Sequence, residues 1–248
     1  MNPIMTEREY DIHYYEVDYK KRCLITSIMN YFQDIAIFQS MKVGVGIDYL
    51  EKNKLAWVLY KWNIHIERYP VYGERVKVGT SPYSFDKFYA FRKFNIADGD
   101  NQLLVSADTM WLLLHTENKK PIRIIQPIYD AYNVDKIPKR IPMPAIERMT
   151  RVDYEKGFQV RYTDIDTNMH VNNVKYVEWI IETIPVDTVL HYSMENVLVT
   201  YKKETVYGED IKVQTELMNK GETLECLHRI TGKGNIELCI AKTIWKRD

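Results

Sequence analysis

An aspartate, an asparagine and a histidine stand at alternate positions in Arg161-Tyr162-Thr163-Asp164-Ile165-Asp166-Thr167-Asn168-Met169-His170-Val171-Asn172-Asn173-Val174-Lys175-Tyr176. On an extended backbone, residues i, i+2 and i+4 share a side, so Asp166, Asn168 and His170 would present a carboxylate, an amide and an imidazole to one small volume. These are a base or orienter, an oxyanion donor and a proton-handling group. The helical pattern that follows would add backbone N–H groups and the positive end of its dipole, which suit an oxyanion developing at a carbonyl. No metal is required for this chemistry. The same segment reads equally as a turn followed by a helix cap, with His170 incidentally nearby.

The elements that would position this set are duplicated. Val71-Tyr72-Gly73-Glu74-Arg75-Val76-Lys77-Val78 recurs 135 residues later as Val206-Tyr207-Gly208-Glu209-Asp210-Ile211-Lys212-Val213. Ala107-Asp108-Thr109-Met110-Trp111 recurs 134 residues later as Ala241-Lys242-Thr243-Ile244-Trp245. Two separated matches in nearly one register indicate an internal repeat. Each half is expected to open with an extended stretch, Tyr15 to Lys20 and Phe158 to Thr163, followed by a helix and then by strands. The first helix should be capped by Thr26-Ser27, carry Ile28, Phe32, Ile35 and Phe38 on one face, and stop by Gly44. The second should carry Val174, Val177, Ile181 and Ile184 and close at Pro185. In the first half the approach to the helix, Tyr19-Lys20-Lys21-Arg22-Cys23-Leu24-Ile25-Thr26, has no Asp, Asn, His alternation. If the polar set served only to start a helix, both copies should need something like it.

Val58, Tyr60, Trp62, Ile64 and Ile66 alternate with Leu59, Lys61, Asn63, His65 and Glu67 and predict a strand with one apolar face. Similar runs cover residues 88–96, 103–114, 197–202, 211–217, 224–230 and 238–245. Strands following one long helix predict an α+β class in which an antiparallel sheet wraps that helix. The halves are taken as domains at residues 1–115 and 153–248, joined by a linker at 116–152. That linker contains Pro121, Pro127, Pro138, Pro142 and Pro144. Residues 119–151 carry eight basic side chains against three acidic ones, and these suit either a solvated connector or a docking surface for an acidic carrier.

Composition sets the outer bounds. The chain of 248 residues is 46% hydrophobic and 27% charged, as expected of a globular protein with a real core. Its 34 basic and 34 acidic side chains leave no net field to attract nucleic acid. Cys23, Cys226 and Cys239 form no metal-binding or disulfide spacing, which predicts a reducing cytoplasm and no metal. No signal-like start and no long apolar run is present, so no export and no membrane insertion are expected. His13, His65, His115, His191 and His228 are scattered and read as surface or structural side chains.

Asp166-Thr167-Asn168-Met169-His170-Val171-Asn172-Asn173, with Lys175-Tyr176 after it, resembles the motif of the acyl-acyl carrier protein thioesterases of plants and bacteria. Tyr201-Lys202-Lys203-Glu204 resembles their second motif. The resemblance covers essentially the whole chain and implies two tandem hotdog domains, of which only the second is catalytic. It implies hydrolysis of a fatty acyl chain from the phosphopantetheine arm of acyl carrier protein, without a cofactor, by Asp166, Asn168, His170 and Glu204. Plant members follow that glutamate with a cysteine, whereas Thr205 stands here, which directs the expectation to an activated water with Glu204 as the base. Thiolate leaves readily, so such a site chiefly has to aim a water and stabilise the tetrahedral oxygen. Trp57, Tyr60 and Trp62 fit either an acyl tunnel or ordinary packing. A hotdog acyl-coenzyme A thioesterase and a noncatalytic acyl-binding protein are the alternatives. Two fused domains permit a monomer, and exposed sheet edges a homodimer.

Overall fold

The computed structural model describes residues 3–135 and 142–248. Two compact units divide the chain, one of residues 1–60 and 66–142, the other of residues 61–65 and 143–248. In the first, β1 (Thr6–Asp11) precedes α1 (Ile25–Lys42), the short α2 (Ile47–Lys52) and β2 (Leu55–Ile66). Then come β3 (Arg75–Asp86), β4 (Tyr89–Ala97) and β5 (Leu103–His115). The sheet is antiparallel, in the order β1-β3-β4-β5-β2.

Helix α1 lies on β3 because its apolar face is continuous: Ile28, Met29, Phe32 and Ile35 are wholly buried, and Phe32 meets Phe94 of β4 at 5.0 Å between ring centres. Its start lies earlier than the Thr26-Ser27 cap predicted. Leu24 is the N-cap without a side-chain bond, and Ser27 is buried inside the helix. Phe38, expected on the apolar face, is 38% exposed. After Lys42 the chain turns at Gly44, whose φ of 78° is the left-handed conformation favoured by glycine beyond a helix end.

In β2 the burial phase slips. Leu55 and Leu59 are buried, Val58 is exposed, and farther on Trp62, Ile64 and Ile66 are buried. Residues 61–65 belong to the second unit and pair with a strand there. Trp57 packs against the first unit's core cluster.

Part of the stretch expected as a linker is folded. Residues Lys120–Pro121 form β6, paired with β5, and Gln126–Tyr132 form α3, whose Ile128 and Tyr132 sit in the first unit's core beside Phe85 and Leu113. Lys136, Lys139 and Arg140 of the basic stretch lie outside the described residues.

The second unit repeats the plan. Strand β7 (Tyr154–Gln159) precedes α4 (Asn173–Thr183), a short α5 (Val186–His191), β8 (Tyr192–Tyr201), β9 (Asp210–Asn219), β10 (Thr223–Thr231) and β11 (Glu237–Arg247). Residues 61–65 of β2, then β8, β11, β10, β9 and β7, form its antiparallel sheet. Val174, Val177 and Ile180 bury against it, and Trp179 stacks on Phe158 of β7 at 6.1 Å. In both units a strand comes before the helix; of the residues expected to be extended, 15–20 are largely turn, whereas in 158–163 Phe158 and Gln159 end β7 and only Tyr162 and Thr163 enter a 3-10 turn. The chemistry-bearing residues 166–170 follow that 3-10 turn.

Candidate active site

Past β7 the chain makes one 3-10 turn at Tyr162–Asp164, and Ile165 then faces Val171 as an isolated antiparallel bridge. The intervening residues, 166–170, form a tight loop. The N–H of Asp166 donates to the His170 carbonyl at 2.8 Å, and the N–H of Met169 donates to the Asp166 carbonyl at 3.1 Å. The Asp166 carboxylate accepts the Asn168 N–H at 2.8 Å, and Met169 takes a positive φ of 62°. Asp166, Asn168 and His170 therefore lie on a closed loop and not on the extended backbone that their spacing suggested. Asn168 is exposed, while Asp166 and His170 are half-buried.

Asp164, fully buried, anchors this loop. Its carboxylate accepts the Arg161 N–H at 2.8 Å and the guanidinium at 2.9 and 3.1 Å, and Lys175 Nζ lies 3.9 Å away. Burial alone would push this carboxyl up, but the Arg161 bonds and Lys175 hold it below the usual carboxylate range. Because its folded-state pKa is depressed, Asp164 contributes stability above the unfolded value of about 4, and that stability is lost as the pH falls through the lower folded-state value. Asp164→Asn is expected to cost about 3 kcal/mol near neutrality by urea unfolding. The gap from wild type should close on acidification, and a gap still intact at about pH 2 would sink the charge assignment.

Glu204 reaches the loop through the backbone. The N–H groups of Lys202 and Lys203 both donate to the Leu238 carbonyl, at 2.8 and 3.1 Å, where the chain leaves β8. Val171 N–H donates to the Thr205 carbonyl at 3.0 Å. With residues 171 and 205 tied, their predecessors meet: Glu204 Oε2 lies 3.2 Å from His170 Nδ1, with side chains 46% and 28% exposed. A carboxylate and an imidazole are thus in contact and open to solvent. On the other side of the loop, the Asn172 side chain accepts the Val174 N–H at 3.0 Å and caps α4, which occupies one of the helix-start amides.

The first unit contains the same scaffold. Displaced by 148 residues, its 3-10 turn is Tyr14–Glu16, its isolated bridge Val17–Cys23 and its helix start Ile25. Asp18 N–H donates to the Arg22 carbonyl at 2.8 Å, the Asp18 carboxylate accepts the Lys20 N–H at 2.8 Å, and Lys21 has a φ of 60°. Cys23 N–H donates to the Pro70 carbonyl at 2.7 Å, as Val171 does to Thr205. The partners of His170 and Glu204 are therefore Arg22 and Tyr69, and these also touch: the guanidinium lies 5.2 Å from the ring centre. Asp166 has a counterpart, Asp18, that does the same structural work. Asn168, His170 and Glu204 have none, since Lys20, Arg22 and Tyr69 replace them.

All three cysteines are free and buried, and burial pushes the thiols of Cys23 and Cys226 up to about 12, which removes them as thiolate nucleophiles near neutrality. His228, buried between Thr215 and Thr243 at 2.9 Å each, is pushed by burial down to about 3, so it is a neutral structural side chain. Among the described residues no group of three His, Cys, Asp or Glu side chains is placed to hold a metal, and no helix is long and apolar enough to cross a membrane.

Residues 3–132 match the acyl-ACP thioesterase N-terminal domain, and residues 147–247 match the acyl-ACP thioesterase C-terminal domain. The dodecanoyl-[acyl-carrier-protein] hydrolase of Cinnamomum camphora is 26% identical over 259 residues, which cover 98% of this chain and 68% of that protein. The palmitoyl-acyl carrier protein thioesterase of Cuphea hookeriana is 25% identical over 215 residues, 81% of this chain and 52% of that protein. The chain thus spans about half to two thirds of these chloroplastic relatives. Among solved structures, a Lactobacillus plantarum protein described as an oleoyl thioesterase superposes with a TM-score of 0.93 at 23% identity, over 99% of this chain and 97% of that one. The 12:0-ACP thioesterase of Umbellularia californica superposes with a TM-score of 0.87 at 24% identity, over 98% and 94%. At such identities the superpositions speak for the fold, which is α+β with two tandem hotdog domains.

Proposed function

Because the chain belongs to the acyl-acyl carrier protein thioesterase family, both of whose domain models it matches in order, we propose that it hydrolyses fatty acyl-acyl carrier protein thioesters to free fatty acid and holo-acyl carrier protein. The observation that carries this reading is the His170–Glu204 pair at 3.2 Å, set against the Arg22–Tyr69 pair at the duplicated position. A carboxylate beside an imidazole handles protons, and a guanidinium over a phenol does not. The domain at residues 153–248 is accordingly the catalytic one and residues 1–115 belong to a noncatalytic copy, whose core also takes in residues 126–132 of the stretch that connects the two.

Glu204 takes a proton from water as the oxygen attacks the thioester carbonyl carbon. The resulting oxyanion is held by the exposed Asn168 amide. Collapse breaks the C–S bond, and the proton returns to the departing sulfur through His170 and Glu204. Asp166 shapes the loop, as Asp18 does in the first unit. The free state of the three cysteines suits a reducing compartment such as the cytoplasm.

Release of thiol from matched acyl chains on acyl carrier protein and on coenzyme A tests the reading. The protein-borne substrate is expected to be preferred in kcat/KM by at least about tenfold. Equal or better use of acyl-coenzyme A would move the assignment to the other carrier, and no thiol release from either would leave a noncatalytic binding protein.

A further inference from the structure

The first part of the basic stretch between the two halves folds onto the first unit, where it brings its cations to those of two other turns. After β5 the chain reverses at residues 116–119 and returns as β6: the N–H of Lys119 donates to the His115 carbonyl at 2.9 Å, and that of Ile122 to the Leu113 carbonyl at 2.9 Å. Thr116 N–H donates to the Lys54 carbonyl at 2.9 Å, which ties the hairpin to the turn between α2 and β2. Ile124 N–H donates to the Lys87 carbonyl at 2.8 Å, which ties it to the turn between β3 and β4. Lys52, Lys54, Lys87, Lys119, Lys120 and Arg123 therefore gather at one end of the first unit, and all six are exposed. Against them, residues 51–54, 86–88 and 115–123 hold three acids: Glu51, the half-buried Asp86, and Glu117, which is ion-paired with Lys54.

Three of these lysines stand where the backbone favours other residues. Lys54, Lys87 and Lys119 have φ of 57°, 52° and 52°, the left-handed conformation that glycine and asparagine adopt at least cost. In the second unit the turn between β9 and β10, which corresponds to that of Lys87, places Gly221 in this conformation, with φ of 85°. Turn geometry alone would select glycine or asparagine at all three positions, so what lysine adds there is charge.

An excess of one sign over three turns, in a chain of zero net charge, attracts and orients a partner of the opposite sign. The six side chains are exposed and spread over three turns, with no buried one among them to grip a small anion, an arrangement that matches the broad face of a folded acidic protein. We propose that this end of the first unit is the docking surface for the acidic carrier protein that bears the thioester. The identity of that partner rests on the hydrolytic reading above. Steering acts on encounter and binding and not on the chemical step, so the surface sets KM for the protein-borne substrate and leaves kcat alone.

Replacing Lys54, Lys87 and Lys119 together by asparagine tests this, because asparagine removes the charge and suits the left-handed backbone better than lysine does. The full chain is measured for thiol release from matched acyl chains on acyl carrier protein and on coenzyme A, at low and high ionic strength, for binding of fluorescently labelled acyl carrier protein without an acyl chain, and for thermal unfolding. The triple variant should unfold no lower than wild type. Its KM for the protein-borne substrate at low salt should rise about tenfold with kcat unchanged, and both constants for acyl-coenzyme A should stay within about twofold. Salt should raise the wild-type KM toward that of the variant. Lys120→Glu with Arg123→Glu, which reverses charge outside the strained positions, should act in the same direction. A wild-type KM in both variants overturns the docking surface while the hydrolytic reading stands, and an equal rise on both carriers overturns it in favour of a site for small anions. If wild type releases no thiol, the hydrolytic reading fails and the binding measurement decides the surface: weaker binding of the labelled carrier to the variants supports it, and a carrier bound equally by all three proteins, or by none, overturns it.

Discussion

Glu204→Gln should lower kcat for thiol release by about a thousandfold, within the range ascribed to general acid–base catalysis, and leave KM nearly unchanged. Glutamine keeps the length and can still hydrogen-bond His170 Nδ1, so the contact at 3.2 Å persists while the capacity to take a proton from water is gone. The side chain is 46% exposed, so the folded protein should unfold close to the wild-type temperature. Asp166→Asn is the informative companion. Its carboxylate accepts the Asn168 N–H at 2.8 Å, a bond that an amide oxygen can also accept, and Asp18 makes the same bond in the first unit. A loss of less than about tenfold is expected there. If Asp166→Asn proved the more damaging of the two, the base would be Asp166 and Glu204 its orienter. A Glu204→Gln protein with full thiol-release activity would remove Glu204 from the base role.

Much of this molecule is legible in its sequence, and the failures have physical causes. Strands announce themselves because a half-buried strand alternates, and β4, β5, β9, β10 and β11 fall within a residue or two of the runs that predict them. The repeat at 135 residues is visible because β3 and β9 begin with the same turn, in which Gly73 and Gly208 both take φ near 80°. The second register of the repeat is hidden. Ahead of the helices the displacement is 148 residues, because α1 has 18 residues where α4 has 11, and the connection to the next strand is longer as well. Without that register the first unit's loop is read from Tyr19 onward, and Asp18, one residue earlier, goes unseen. Asp166 then looks specific to one half when it is common to both.

The loop itself was hard to read for a related reason. An alternation of polar side chains fits a strand, but Asp and Asn also bond to the backbone two residues on, and here that local bond prevails over extension. The candidate site still comes together, because the meeting of Glu204 with His170 is set by a backbone bond between residues 171 and 205 that no spacing within one motif reveals.

Replacing the second unit's pair by the first unit's, His170→Arg together with Glu204→Tyr, should abolish thiol release, by at least about ten-thousandfold, in a protein that remains folded. The fold can be expected to survive because it already holds this pair once: the Arg22 guanidinium lies 5.2 Å from the Tyr69 ring centre on a loop with the same bridge, the same aspartate-capped turn and the same tie to the next strand. The activity should vanish because neither a guanidinium nor a phenol takes a proton from water near neutrality. Groups that act as a unit lose their effect together, so each single substitution should cost nearly as much as the pair. A doubly substituted protein that kept more than about a hundredth of wild-type kcat would show that the chemistry lies elsewhere. The reverse exchange, Arg22→His with Tyr69→Glu, should give no new activity, because Lys20 still stands where the second unit has Asn168. An imidazole beside a carboxylate is then present without an oxyanion donor, and comparing the two exchanges separates what the pair contributes from what its surroundings do.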